Sequence, residues 1–170
     1  FTGLQWQDLD ADGNRQAVAR DQVKGFWELA DDQEWQPFQP FDKKINIDWN
    51  SPFTRMLDLD GDGRADVLIT EDRAWTWYRN LGKEGYEKGG NAAIVTDEEK
   101  GPVLLLRDDV QCIFLADMSG DGMTDLVRIK NGEVCYWPNM GYGKFGIKVT
   151  MSNAPLFHTS DLFNPLYLTL

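Results

Sequence analysis

Short apolar runs alternate with polar turns along the whole chain, and no stretch sustains a helical period. Phe53-Thr54-Arg55-Met56-Leu57 leads into a loop crowded with aspartates. Ala65-Asp66-Val67-Leu68-Ile69-Thr70 follows, rich in β-branched residues that suit a pleated, half-buried strand. Glu71-Asp72-Arg73 reads as a turn, as does Lys130-Asn131-Gly132 further on. Trp75-Thr76-Trp77-Tyr78 and Val134-Cys135-Tyr136-Trp137 read as aromatic strands. An Asn-x-Gly turn comes next, and the segment around Tyr86 or Phe145 supplies a fourth strand.

The pattern repeats. DLDGDGRADVLI (58–69) overlies DMSGDGMTDLVR (117–128), and Asn80-Leu81-Gly82 overlies Asn139-Met140-Gly141 at the same shift. A shift of 50 brings DLDADGNRQAVA (8–19) over 58–69 and Trp27 over Trp77. Three copies of roughly 50–60 residues, each with four short strands, predict propeller blades. The expected fold is all-β: one partial β-propeller domain with blades at 1–50, 51–109 and 110–166. Tyr167-Leu168-Thr169-Leu170 resembles the lead-in to the other Asp loops and is expected to open a further strand. Residues 87–109 break the rhythm and read as a loop joining two blades.

Charge sharpens this picture. The formal net charge is −11, and ten of the 28 acids lie in the loops at 8–16, 58–66 and 117–125. Without those ten, acids and bases nearly balance, so the acidity belongs to three loops. An acidic chain argues against nucleic acid, whose phosphates need a basic face. No apolar run approaches the ~20 residues needed to span a bilayer, so direct membrane insertion is not expected. The chain opens on Phe1 without a signal-like segment, which reads as a piece excised or processed from a longer protein. On strands one and three of a blade, Cys112 and Cys135 would lie roughly 9–10 Å apart. That is too far for a disulfide, and two free, partly buried thiols are expected.

The aspartates demand an explanation. Two carboxylates ~5 Å apart repel by roughly 3 kcal/mol at an effective dielectric of ~20. Carboxylates at loop positions 1, 3, 5 and 9, with Gly at 6, fit a calcium loop, because Ca²⁺ takes several hard oxygen ligands. In the middle loop these are Asp58, Asp60, Asp62 and Asp66, with the Arg64 carbonyl at position 7. The third loop offers Asp117, Ser119, Asp121, the Met123 carbonyl and Asp125. The first offers Asp8, Asp10, Asp12 and the Asn14 carbonyl, but Gln16 replaces the closing acid and makes it the weakest site. Position 12 is Ala19, Ile69 or Arg128, so an EF-hand, which needs Glu there and flanking helices, does not fit. The competing reading is a tight turn whose Asp side chains bond backbone N–H groups. A bound calcium would be structural, worth ~2.7 kcal/mol for a ~10 µM site in ~1 mM calcium.

These loops with their following strands resemble the FG-GAP/VCBS repeat of integrin-like propellers. LADMSGDGMTDLVRIKNGEVCYWPNMGYGKFG (115–146) is similar to the blade in the middle region of Tc insecticidal toxin B components and SpvB-type virulence proteins. The resemblance covers essentially the whole chain, weakly in 1–50 and strongly in 110–146. It implies that Asp58, Asp60, Asp62 and Asp66, and Asp117, Ser119, Asp121 and Asp125, are calcium positions. Gln16 departs from the family's pattern. In that toxin family the B and C components form a shell around a cytotoxic segment. The propeller docks on the membrane-perforating A component and gates passage of the cargo. The resemblance therefore implies a secreted docking and gating module, with toxin A and C components or further blades of a parent chain as partners.

Other chemistry finds little footing. His158 is the lone histidine, without a GxSxG motif in the chain, and reads as a loop or surface residue. GYGKFG (141–146) is a turn before a strand, lacking the helix that a dinucleotide fingerprint requires. Paired acids can hydrolyse glycosides, but here they recur at ligand spacing. No enzymatic role is expected. The alternative is an integrin-like adhesion or glycan-binding propeller. Trp75 and Trp77 read as inter-blade core, whereas Trp35 and Trp49 match no other copy and are the better exposed contacts.

Overall fold

The computed structural model describes residues 4–71, 74–92, 95, 97–102 and 112–156. His158, the 167–170 lead-in and Asp72-Arg73 lie outside the described residues. Among the described residues, twelve strands form three four-stranded antiparallel sheets, each a meander in sequence order. The first holds β1 (Leu4–Gln7), β2 (Gln16–Ala19), β3 (Gly25–Trp27) and β4 (Gln39–Pro40). The second holds β5 (Thr54–Leu57), β6 (Asp66–Glu71), β7 (Ala74–Asn80) and β8 (Tyr86–Ala92). The third holds β9 (Cys112–Ala116), β10 (Asp125–Lys130), β11 (Glu133–Trp137) and β12 (Val149–Thr150). No helix among the described residues is long and apolar enough to cross a membrane.

Alternation along the strands gives every sheet two faces, and facing rows of neighbouring sheets make the cores. Val67, Ile69 and Tyr78 of the second sheet pack with Leu9, Val18 and Phe26 of the first. The opposite face, with Leu57, Leu68, Trp75 and Trp77, packs with Leu126, Cys135 and Trp137 of the third. Each fully buried leucine or valine stabilises by ~1.5–3 kcal/mol relative to exposure. Trp75 and Trp77 are thus core residues between two sheets. Cys135 is free and buried, and its burial pushes the thiol pKa up.

Register corrects one correspondence. Val18 lies opposite Phe26, as Leu68 lies opposite Trp77 and Val127 opposite Tyr136. Trp27 lies opposite Ala17 and so takes the place of Tyr78, not of Trp77. The first β2–β3 connection is one residue shorter in register than its counterparts, so the gapless shift fails beyond it.

The fourth strands also differ from expectation. Residues 86–92 are strand β8, so the joining segment begins later than residue 87. Phe145 makes only an isolated bridge with Asn139, and the fourth strand of the third sheet is Val149–Thr150. Trp49 is not an exposed contact. The chain after β4 folds back beside the start of β8, through Lys43 N–H to Glu84 O at 2.9 Å and Tyr86 N–H to Lys43 O at 3.1 Å. There the Arg20 guanidinium lies 4.7 Å over the Trp49 ring, whose other neighbour is Tyr86 at 5.5 Å.

Within the joining segment, Glu98 is clamped. Arg128 and Lys148 donate to its carboxylate at 2.7 and 3.1 Å, and Trp137 Nε1 donates to its backbone carbonyl at 2.8 Å. These bonds hold its carboxyl pKa down at about 2, Arg128 foremost. Arg128 is buried against Trp137 and also donates to Glu133 at 3.1 Å.

Candidate metal centre

All three aspartate loops connect the first and second strands of their sheets and share one internal scaffold. The position-1 carboxylate reaches across to the position-6 glycine: Gly13 N–H to Asp8 at 2.7 Å, Gly63 N–H to Asp58 at 2.8 Å, Gly122 N–H to Asp117 at 2.9 Å. Gly63 and Gly122 take φ near +85° (82° and 88°), a left-handed conformation that glycine adopts without penalty. The position-5 carboxylates of Asp12, Asp62 and Asp121 accept the N–H groups of Asn14, Arg64 and Met123. For Asp12 the Asn14 N–H lowers the pKa.

The closing residue works as a clip beneath the loop. Asp66 accepts the N–H of Leu59 at 3.1 Å and that of Asn80 at 2.7 Å. Asp125 accepts from Met118 and Ser119 at 2.9 Å and from Asn139 at 2.7 Å. Gln16 does part of the same work, accepting the Leu9 N–H at 3.0 Å while its amide turns to Glu28. Leu9 and Leu59, at position 2, are fully buried, so the first two loops set an apolar residue inward with acids gathered above it, and Met118 does the same half-buried in the third. The backbone-bonded turn therefore exists in all three loops. It does not exclude ligation, because an ionised carboxylate has about four lone-pair sites.

Position 3 is different. The Asp60 side chain is only 2% exposed and pairs through Oδ2 with the Arg79 guanidinium, while Oδ1 has no hydrogen-bond partner among the described residues. Asp58, Asp60 and Asp66 bring ligand oxygens within 4.8 Å of one another, the one such group among the described residues. Burial pushes the Asp66 pKa up to about 7 against its backbone hydrogen bonds, and the charges of Asp60 and Asp62 add to the rise. A cluster of acids in which the buried Asp60 keeps one oxygen without a partner fits a hard divalent cation, which Asp58, Asp60 and Asp66 would hold in competition with Arg79 and whose charge would offset their repulsion.

Asp62 stands apart, with Oδ2 at 3.5 Å from Arg79 Nη2. Arg79 also contacts Asp60, so the middle loop carries an internal guanidinium that pattern reading missed. In the first loop, Lys83 of the second sheet reaches Asp10 at 3.2 Å and Glu28 at 2.8 Å. In the third, Ser119 supplies a hydroxyl, and Asp117, Asp121 and Asp125 do not converge as the middle group does. Neighbouring loops touch: a Cβ on Gly63 would lie 3.3 Å from Ala11, and one on Gly61 3.6 Å from Met123. Asn139 Nδ2 donates to the Asp58 carbonyl at 2.9 Å, tying the third sheet to the middle loop.

Residues 58–128, the span from the middle loop through the third, match the FG-GAP-like repeat family. No curated protein gave a significant match. Among solved structures, a chain of the Photorhabdus luminescens Tc holotoxin pore is similar over 97% of this chain, at 24% identity and a TM-score of 0.79. An Agrocybe aegerita lectin that recognises non-reducing terminal N-acetylglucosamine is similar over 85%, at 23% identity and a TM-score of 0.56. The chain spans 7% of the length of that Tc chain and 36% of that of the lectin. Residues 58–128 thus match FG-GAP-like repeats, and the described residues fold as a partial β-propeller similar to part of a Tc toxin chain.

Proposed function

We propose that this chain is a non-catalytic, calcium-stabilised propeller module that docks and gates within a secreted bacterial toxin assembly. The observation that carries this reading is the fold correspondence along 97% of the chain with part of a Tc holotoxin chain. In this reading the three sheets are consecutive blades of one domain, divided near residues 50 and 109, and the shared cores between sheets support it. Calcium belongs to the middle loop through Asp58, Asp60 and Asp66, with Asp62 and the Arg64 carbonyl completing the shell. The third loop, with Asp117, Ser119, Asp121, Met123 and Asp125, is a weaker site, and the first, with Asp8, Asp10, Asp12, Asn14 and Gln16, weaker still. The partners are the A and C components of the assembly or further blades of a parent chain. Capture of a purified Tc A component by the immobilised chain tests the docking role, and absence of binding in calcium would defeat it.

A glycan-binding role is the second reading. It is favoured by a cleft of about 420 Å³ whose lining includes Tyr142, Phe145 and Asn91. Aromatic faces with a neighbouring amide suit a sugar ring. A glycan array separates the two readings.

A further inference from the structure

Among the described residues the buried arginines are Arg20 and Arg128, and their charges are met differently. Arg128 pairs with the carboxylates of Glu98 and Glu133. Arg20, just past β2 and 5% exposed, pairs with no carboxylate of the described residues. It donates to Gln5 Oε1 and, at 3.3 Å, to Tyr86 Oη, both uncharged, and lies over the Trp49 ring. Its Nε–H has no partner among the described residues, and neither has the Trp49 indole N–H. A buried charge is costly unless an opposite charge meets it.

Arg20 is not sealed in. It lines a cleft of about 140 Å³ between the first sheet and the chain at 46–50 that leads to the second. Lys24 lines it too, its Nζ held by the Ile45 carbonyl at 2.6 Å and by Asn46 Oδ1 at 3.4 Å, again uncharged partners. The remaining charges of the lining are Asp21 and Asp48, both exposed and neither in an ion pair among the described residues. Opposite charges thus line one small cleft without pairing with each other. A simple dianion entering it would meet Asp21 and Asp48, and a simple cation would meet Arg20 and Lys24. A ligand that carries both signs meets a partner for each.

We propose that this cleft binds a small amino-carboxylate, its carboxylate on Arg20 and its ammonium toward Asp21 and Asp48. The planar guanidinium pairs with a carboxylate through charge-assisted hydrogen bonds, which fix orientation as well as adding energy. The Trp49 ring under Arg20 holds the guanidinium in place before the ligand arrives, which lowers the cost of binding. Lys24 adds a second positive charge and pins the 45–46 wall. The site shares no residue with the aspartate loops, so it works with or without calcium.

Titration of glycine, β-alanine and γ-aminobutyrate into the isotope-labelled 170-residue chain tests this, since the three differ in the spacing of their charges. The Trp49 indole N–H resonance, identified by its loss in Trp49→Phe, is the readout. The expected result is a saturable shift with at least one of them, at lower concentration than with butyrate or butylammonium. Arg20→Gln should weaken that binding about tenfold or more. Should that variant fail to fold, Asp21→Asn combined with Asp48→Asn, on exposed side chains, gives the second test: the preference over butyrate should disappear. No saturable shift with any of the three overturns the proposal. So does butyrate, butylammonium or inorganic phosphate binding as tightly to the wild type, or a doubly substituted chain that keeps its preference.

Discussion

Asp66 accepts the backbone N–H of Asn80, at the end of the third strand of its own blade, at 2.7 Å. Its second oxygen takes the N–H of Leu59, so one carboxylate holds the aspartate loop to the sheet and faces Asp58 and Asp60. An amide at this position can accept only through its oxygen. Asp66→Asn leaves one buried donor poorly satisfied and should cost ~1–3 kcal/mol even without metal. It should also blunt the response to calcium. Chemical denaturation with calcium and with chelator, run on both proteins, separates the two effects.

Arg79 competes with any cation for Asp60 and Asp62. Those charges raise its pKa, that of Asp60 most. Arg79→Met should lower the stability of the calcium-free protein and tighten calcium binding. The side chain is partly exposed, so solvent screening limits the gain to about tenfold or less. Isothermal titration measures it directly; unchanged affinity would mean that Arg79 is an onlooker.

Glu98 should govern acid stability. Its pKa is held at about 2 by Arg128 and Lys148, below the ordinary 4.5. A depressed carboxyl contributes stability above its unfolded pKa and loses it as pH falls through the folded one. The contribution is full above about pH 4.5 and disappears toward pH 2. Glu98→Gln should lower stability at pH 7 by about 1 kcal/mol or less, because the Glu98 side chain is 45% exposed and solvent screens its pair with Arg128. It should also flatten the dependence between pH 4.5 and 2. Urea midpoints at several pH values check both expectations.

Gly89 makes room for Trp77: a Cβ there would lie 2.5 Å from the indole Cε2. Gly89→Ala should cost ~1–3 kcal/mol by overpacking. The cost should shrink in a Trp77→Leu background, and a double-mutant cycle reports the coupling.

The repeat made much of this legible. Asp and Gly at fixed positions mark the loops because a turn of that shape needs those residue types, and the alternating runs that follow mark the strands. Turn length was less legible. Trp27 fell on the wrong face because a hairpin one residue shorter moves the partner of Val18 from residue 27 to Phe26. Long-range partners left no local signal. Glu98 sits in a segment of turn-like composition, and only the fold brings it to Arg128 and Trp137. Trp49 is half-buried for the same reason, since it depends on Arg20 and Tyr86 from two different blades. Arg79 lies one turn of the meander away from the acids it meets.

The central claim is that the middle loop is a calcium site that stabilises the fold. Thermal unfolding of the wild type and of Asp60→Asn, in calcium and after chelation at fixed ionic strength, tests it most directly. The wild-type melting temperature should fall by about 5–10 °C on chelation, for a site near 100-fold saturation. It should return with calcium and not with equal magnesium, and Asp60→Asn should lose most of the shift. A wild-type melting temperature indifferent to calcium would contradict the account and leave the three loops as hydrogen-bonded turns.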